Sequence, residues 1–339
     1  MPRNYYLSYA NLTCRFGDQY VLLDLANEVV LPAFFDPSHS RQQGPSTYIF
    51  RNVGVASISV ETLQEPQLVV YGRLIKKTTL SRSQTYSEEL GLVADDATLP
   101  SAPSSFFALN LNDHKLMFLP ETPFAPTLQQ FAYTLQRFTR DELSVYIRAI
   151  YEQTKNSAEP RTLASLMSDF PAPDVKATPL AGVDDVDAFV ESFSKITRLE
   201  FRFLSTNAEI NRREDFRAIR AMKDEVVAAT TSLVHENSDG LKKSAVAEEV
   251  KDAAGGGNQR VKFTGVGEDG AKFSGSNEDF KLQVAFPDPP ENLLRRAAEA
   301  VRSYFTQVGH GRIRPDASTP NPEKLAAVRE ALNERIENS

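Results

Sequence analysis

Four short runs fill most of residues 4–80: YYLSYANL, YVLLDL, TYIFRNV and QLVVYGRLIKK. Each is rich in Tyr, Val, Ile and Leu, and Gly, Pro, Asp or Asn separate them. Runs of that length and content, punctuated in that way, read as β-strands. FFDPSHSRQQGPS, at 34–46, holds two prolines and a glycine and reads as a loop. Residues 82–104 are polar, carry Pro100 and Pro103, and also read as loop. SFFALNLNDHKLMFL (105–119) has two apolar runs flanking Asn112-Asp113, which predicts a hairpin.

The pattern changes at residue 126. Leu128, Phe131, Leu135, Phe138, Leu143, Ile147 and Ile150 recur at three- to five-residue spacing, largely the period of an amphipathic helix. Thr139 with Glu142 matches a capping box, so two helices meeting near Thr139 are expected. Residues 154–182 hold Pro160, Pro171, Pro173 and Pro179 with little periodicity. That stretch is the expected linker, or else an ordered loop crossing one domain.

Beyond it the order is regular. Asp184–Phe193 is a short helix. TRLEFRFLS (197–205) alternates Leu199, Phe201 and Phe203 with Arg198, Glu200 and Arg202, as a half-buried strand does. Asn207 is placed to cap a long helix reaching about His235. AAGGGNQ (253–259) reads as flexible loop. RVKFTGVGEDGAKFSG (260–275) predicts a hairpin with Asp269-Gly270 as a type I′ turn. FKLQVAF (280–286) is a further strand. Pro289 and Pro290 open a helix with Leu293, Ala297, Val301 and Phe305 on one face. The polar helix at 322–337 lacks a strong apolar stripe and reads as a tail or a partner-dependent element. The expected fold is α+β, mainly antiparallel sheets with helices packed on one face of each. The expected division is 1–153, a linker at 154–182, a second domain at 183–310 and a tail at 311–339.

Composition narrows the function. The 339 residues carry 38 Lys+Arg against 45 Asp+Glu, a net charge of −7. A chain of this sign binds nucleic acid only through a local basic face. One cysteine, Cys14, excludes an internal disulfide, and with four scattered histidines it argues against a Cys/His zinc site. Charges interrupt every apolar stretch well short of the roughly 18 residues a bilayer span needs. The opening MPRNYYLSYANLTCRF has no basic-then-apolar leader, so a cytoplasmic location without membrane insertion is expected. No GxxxxGK[ST] occurs, and no cofactor is expected.

Two basic groups stand out. Arg213, Arg217 and Arg220 fall within a helical sector about 60° wide, beside the apolar positions Phe216 and Ile219. Residues 195–223 hold eight basic and four acidic side chains. Guanidinium suits phosphate because it forms bidentate hydrogen bonds and keeps its charge. The competing reading is a solvated face paired with Glu209, Glu214 and Asp224. Arg260 and Lys262 leave one face of the 260–275 hairpin, with Lys272 on the return strand. A basic two-stranded ribbon fits a DNA groove, although lysines also keep edge hairpins in solution. Glu268, Asp269 and Lys272 at the hairpin turn are the candidate set for a metal-dependent nuclease. Nothing ties Cys14 to a histidine base.

The hairpin RVKFTGVGEDGAKF, followed by a polar gap and PENLLRRAAEAVRSYF, resembles the second half of RexA-like phage-exclusion proteins. DDVDAFVESFSKITRLEFRF is similar to the helix and strand that open the RexA second domain, and EELGLVADDATLPSAPSSFFALNLNDHKLMFLPETPFAPTLQQF to its upstream hairpin, turn and helix. GRLIKK and NDHKLMF look like segments of abortive-infection families such as the KwaB component of the Kiwa system. The resemblance is one of element order over more than half of the chain. It implies a two-domain homodimer that binds double-stranded DNA with little sequence preference, through basic residues lining a groove, and aborts phage growth. The basic residues at the comparable element here are Arg260, Lys262 and Lys272. The expected function is therefore non-enzymatic DNA binding in anti-phage defence. An adaptor docking on a second defence protein is the alternative, and a nuclease the next.

Overall fold

The computed structural model describes residues 4–207, 209–210, 213–318 and 321–337. β1 (Tyr6–Phe16) and β2 (Tyr20–Val21) lead into a 3-10 turn, a π turn and α1 (Leu31–Phe35). Then come β3 (Arg41–Gln43), β4 (Ser46–Ile58), β5 (Gln67–Ser87), β6 (Gly91–Ser101), β7 (Ser104–Asn110) and β8 (Lys115–Pro120). α2 (Leu128–Thr154), α3 (Leu163–Asp169), β9 (Pro173–Pro179) and α4 (Val183–Glu191) follow. Next are β10 (Phe193–Phe203), β11 (Glu209–Ile210), α5 (Glu214–Glu225), β12 (Thr231–Glu236) and α6 (Lys243–Ala254). The hairpin β13 (Gln259–Gly267) and β14 (Lys272–Ser276) precedes β15 (Gln283–Ala285), α7 (Leu293–Gly309), β16 (Ala317–Ser318) and α8 (Pro322–Glu337). The fold is α+β with antiparallel sheets, as expected.

β1 organises the ten-stranded sheet. One of its edges meets β15 and then β9, the other β8 and then β2. Ala10, Leu12, Cys14 and Phe16 enter the core under α1 and α2, whereas Leu7 and Tyr9 enter the core under α7. Both faces are covered, so β1 is buried along most of its length although Ala10–Phe16 alternates apolar and polar side chains, and Asn11 and Thr13 are buried on the second face. β7 and β8 divide in the same way, Phe107 and Phe118 to one side and Phe106 and Met117 to the other. Ala297 and Ala300 of α7 are fully buried on the sheet, where small side chains allow close approach.

Several elements differ from expectation. α2 is one helix of 27 residues, capped by Thr127 with Gln130, and Thr139 lies buried inside it. Residues 82–87 and 91–101 form strand where loop is expected, because β5 continues to Ser87 and turns back as β6. Within the expected linker, β9 pairs with β1 along seven residues, since Val175 and Thr178 have a sheet edge to join. The single helix expected over 207–235 is α5 followed by strand β12, because helical periodicity ends at Glu225 and a β-branched Thr-Thr-Ser-Leu-Val run follows. The loop at 267–271 is not type I′. Only Gly270 has positive φ (79°), and Gly267 N–H donates to Ala271 O at 2.9 Å, a three-residue connection. α8 buries Leu325, Val328 and Leu332 in the α1–α2 core, so the polar tail helix docks on its own chain.

The four-stranded sheet has the order β12-β10-β13-β14. Phe201, Phe203 and Phe263 face α4, α5 and α6, which contribute Val190, Phe216 and Val250. Among the described residues, no helix packs on the opposite face. The 255–257 glycines, expected as flexible loop, are buried where this sheet meets β1 and β9. Gly257 has φ +69°, and a Cβ there would lie 2.7 Å from both Asn11 and Leu180. Beside it, Asn11 donates to Asn258 and Asn258 to Asp316, a buried chain of side-chain amides and a carboxylate.

Candidate nucleic-acid interface

The uncovered face of the four-stranded sheet carries the even-numbered side chains of β10 and β13. Register places Arg202 opposite Arg260, Glu200 opposite Lys262 and Arg198 opposite Thr264. Paired residues of an antiparallel ladder project to the same side, so these side chains form one surface. The flanking strands add hydroxyls. Ser232 lies opposite Arg202 on β12, and Ser274 and Ser276 lie opposite Thr264 and Lys262 on β14.

The charges on this surface are unequally satisfied. Arg198 binds Glu236 at 3.1 Å and Glu200 at 3.3 Å, and Glu200 also accepts from Ser232. Arg202, Arg260 and Lys262 have no ion-pair partner among the described residues. They border a depression of about 510 Å³ lined also by Glu200, Ser274, Ser276 and Asp279. Arg260 and Ser276 continue into a second cleft of about 250 Å³, closed by Pro179 and by Gln129 in the first turn of α2. The positive end of a 27-residue helix dipole therefore borders the same surface.

The six basic residues expected at the site do not gather in one place. Arg260 and Lys262 are on the open face, and Lys272, opposite Val266, is further along it near the hairpin end. Arg213, Arg217 and Arg220 lie on the other side of the sheet, because Phe216 packs α5 onto Phe201 and Phe203. Arg213 sits over the Phe216 ring and binds Asp215 and Glu249. Those two carboxylates hold its guanidinium well above its ordinary value. The same contact holds the Asp215 carboxyl low. Arg220 donates to Thr206 Oγ1 at 2.7 Å. Arg217 is exposed.

Glu268, Asp269 and Lys272 line a shallow depression at the hairpin end with Glu191 and Ser192. Asp269 Oδ1 accepts from Ala271 N–H, which is a turn contact. The side chains among the described residues that do converge as possible metal ligands are elsewhere: Asp36, His39 and Glu142. His39 Nε2 and Glu142 Oε1 are 2.7 Å apart, and the imidazole stacks on Phe138.

Arg202 is the cation of this open face that periodicity alone does not single out. Its alternation with Phe201 and Phe203 marks it as outward-facing. Only the β10–β13 register, across almost sixty residues of sequence, places it against Arg260.

No protein family and no curated protein matches this chain.

Proposed function

We propose that the protein binds the phosphate backbone of double-stranded DNA through the open face of its four-stranded sheet, with little sequence preference. The supporting observation is the cluster of Arg202, Arg260 and Lys262. Three cations without carboxylate partners among the described residues share one surface of a molecule whose net charge is −7. Two arginines held opposite each other repel, and an anion between them removes the repulsion. Guanidinium forks and serine hydroxyls are the donors that phosphate oxygens accept from. The surface is framed by strand side chains with few base-reading amides, which suits backbone contact over sequence readout.

A role in excluding phage rests on the resemblance to RexA-like proteins, and DNA contact through the β13 basics is the property carried over. The helix group Arg213, Arg217 and Arg220 is left out of this interface because it projects from the opposite side and Arg213 is already neutralised.

The test is titration of duplex DNA between about 50 and about 200 mM salt. Affinity is expected to fall steeply with salt. R202E, R260E and K262E together abolish binding, while R213A with R217A leaves it in place. Unchanged binding after the triple reversal overturns the reading. Plating of phage on cells carrying the triple variant then tests the defence role separately.

A further inference from the structure

We propose that two copies of this chain pair through the β5–β6 ribbon, antiparallel about a two-fold axis, so that the tip of each ribbon meets the base of the other.

β5 is 21 residues long, and its two halves do different things. Residues 67–77 lie inside the large sheet between β4 and β7. Residues 78–87 pair with β6 alone. At about 3.4 Å per residue this ribbon extends roughly 30 Å beyond the sheet. Its two outer edges pair with nothing among the described residues.

The ribbon has two unlike faces. Leu80 stands opposite Leu99 near the base, and Tyr86 opposite Leu92 near the tip. Between them are Arg82 opposite Ala97 and Gln84 opposite Ala94. The register shift between these two pairs adds one residue to β6, which keeps all four pairs on one side. The other side carries Thr79, Ser81, Ser83 and Thr85 of β5, with Pro100, Thr98 and Val93 of β6 opposite Thr79, Ser81 and Thr85. Leu99 is 64 % exposed, Tyr86 72 % and Leu92 73 %. A two-stranded hairpin is marginal alone in water, and an apolar stripe of several hundred Å² marks an interaction surface.

Charge identifies the occupant. Lys76 and Lys77 lie at the base, and Glu88 and Glu89 at the tip. None of the four has an ion-pair partner among the described residues. Antiparallel pairing of two identical ribbons brings each glutamate pair to the other copy's lysine pair. It also brings Tyr86 and Leu92 onto Leu80 and Leu99. Side-by-side pairing in the same direction would set like charges together. A self-complementary patch of this kind is what an isologous two-fold interface requires.

The test is light scattering and sedimentation of the full-length protein. A dimer is expected. L92D raises its dissociation constant about tenfold or more, the loss expected of a central apolar contact. E88K with E89K weakens it, K76E with K77E weakens it, and the fourfold swap restores it. The denaturation midpoint of each variant monitors folding, and the rescue by the fourfold swap excludes simple misfolding. A monomer at all concentrations overturns the proposal. So does a dimer that ignores these substitutions, or a loss that the fourfold swap does not rescue.

Discussion

Arg202 and Arg260 stand directly opposite one another across the β10–β13 ladder, with no carboxylate bound to either among the described residues. Like charges in that position cost stability, and opposite charges add it, by about 0.2–1 kcal/mol. Arg260→Glu is therefore expected to raise the stability of the free protein by about 0.5 kcal/mol. The same change removes a proposed phosphate contact. A urea midpoint that rises while DNA affinity falls would separate binding from folding in one variant. A midpoint that falls would mean that the arginines already find other partners.

Asn207 carries a different load. Its Oδ1 accepts from Cys14 N–H at 2.9 Å, and its Nδ2 donates to Leu12 O at 2.8 Å. Those backbone groups lie on the β1 edge between the ends of β8 and β2, where no strand of the described residues covers them. Asn207→Ala leaves two buried main-chain groups unpaired, each worth about 1–3 kcal/mol. A loss of about 3 kcal/mol in denaturant unfolding is expected. A loss below about 1 kcal/mol would show that water reaches the gap.

Asn207 also shows where sequence reading stops. As an N-cap it is a sound choice, because Asn followed by apolar residues at helical spacing looks the same whether the amide caps its own chain or a distant strand. The 105–119 hairpin and the α2 period were legible because their partners are local or one-sided. The open face of β10 was legible from Arg198, Glu200 and Arg202, but its meeting with Arg260 depends on pairing between remote segments. The 82–101 strand was hidden because its polar side, Thr79 to Thr85, dilutes the apolar one, and Pro100 lies on an edge where a missing N–H does no harm. The glycines at 255–257 resembled a flexible linker, yet Gly257 is required because Asn11 and Leu180 occupy the space of a side chain.

Asp113 gives the fold a pH signature. Burial pushes its carboxyl above the ordinary 3.8, and the neighbouring Lys115 only partly offsets that. Lys115 is itself fully buried, with Nζ donating to Asn11 Oδ1 and Asp113 O. A carboxyl with a raised folded-state value is favoured protonated. Its contribution is fully present below 3.8 and is lost as pH rises through the raised value. Asparagine cannot titrate, so the stability of wild type relative to Asp113→Asn should fall between pH 3.8 and neutrality. Denaturation midpoints of both proteins across that range check it. A difference that is flat, or that grows with pH, contradicts the assignment.

Cys14 reports on opening of the β1 core. Its side chain is fully buried, and burial drives the thiol far above its ordinary value, so the native protein presents no thiolate. Its N–H is held by Asn207 on one side of β1, and its register partner Val175 is on β9. Iodoacetamide should therefore label Cys14 only through unfolding of this region. When reclosing outruns alkylation, the rate follows the population of the open form. Asn207→Ala, with its loss of about 3 kcal/mol, should then speed labelling about a hundredfold without changing the thiol itself. Labelling of the native wild type at the rate of a free thiol would mean that β1 opens at negligible cost, and the central position given to that strand would be wrong.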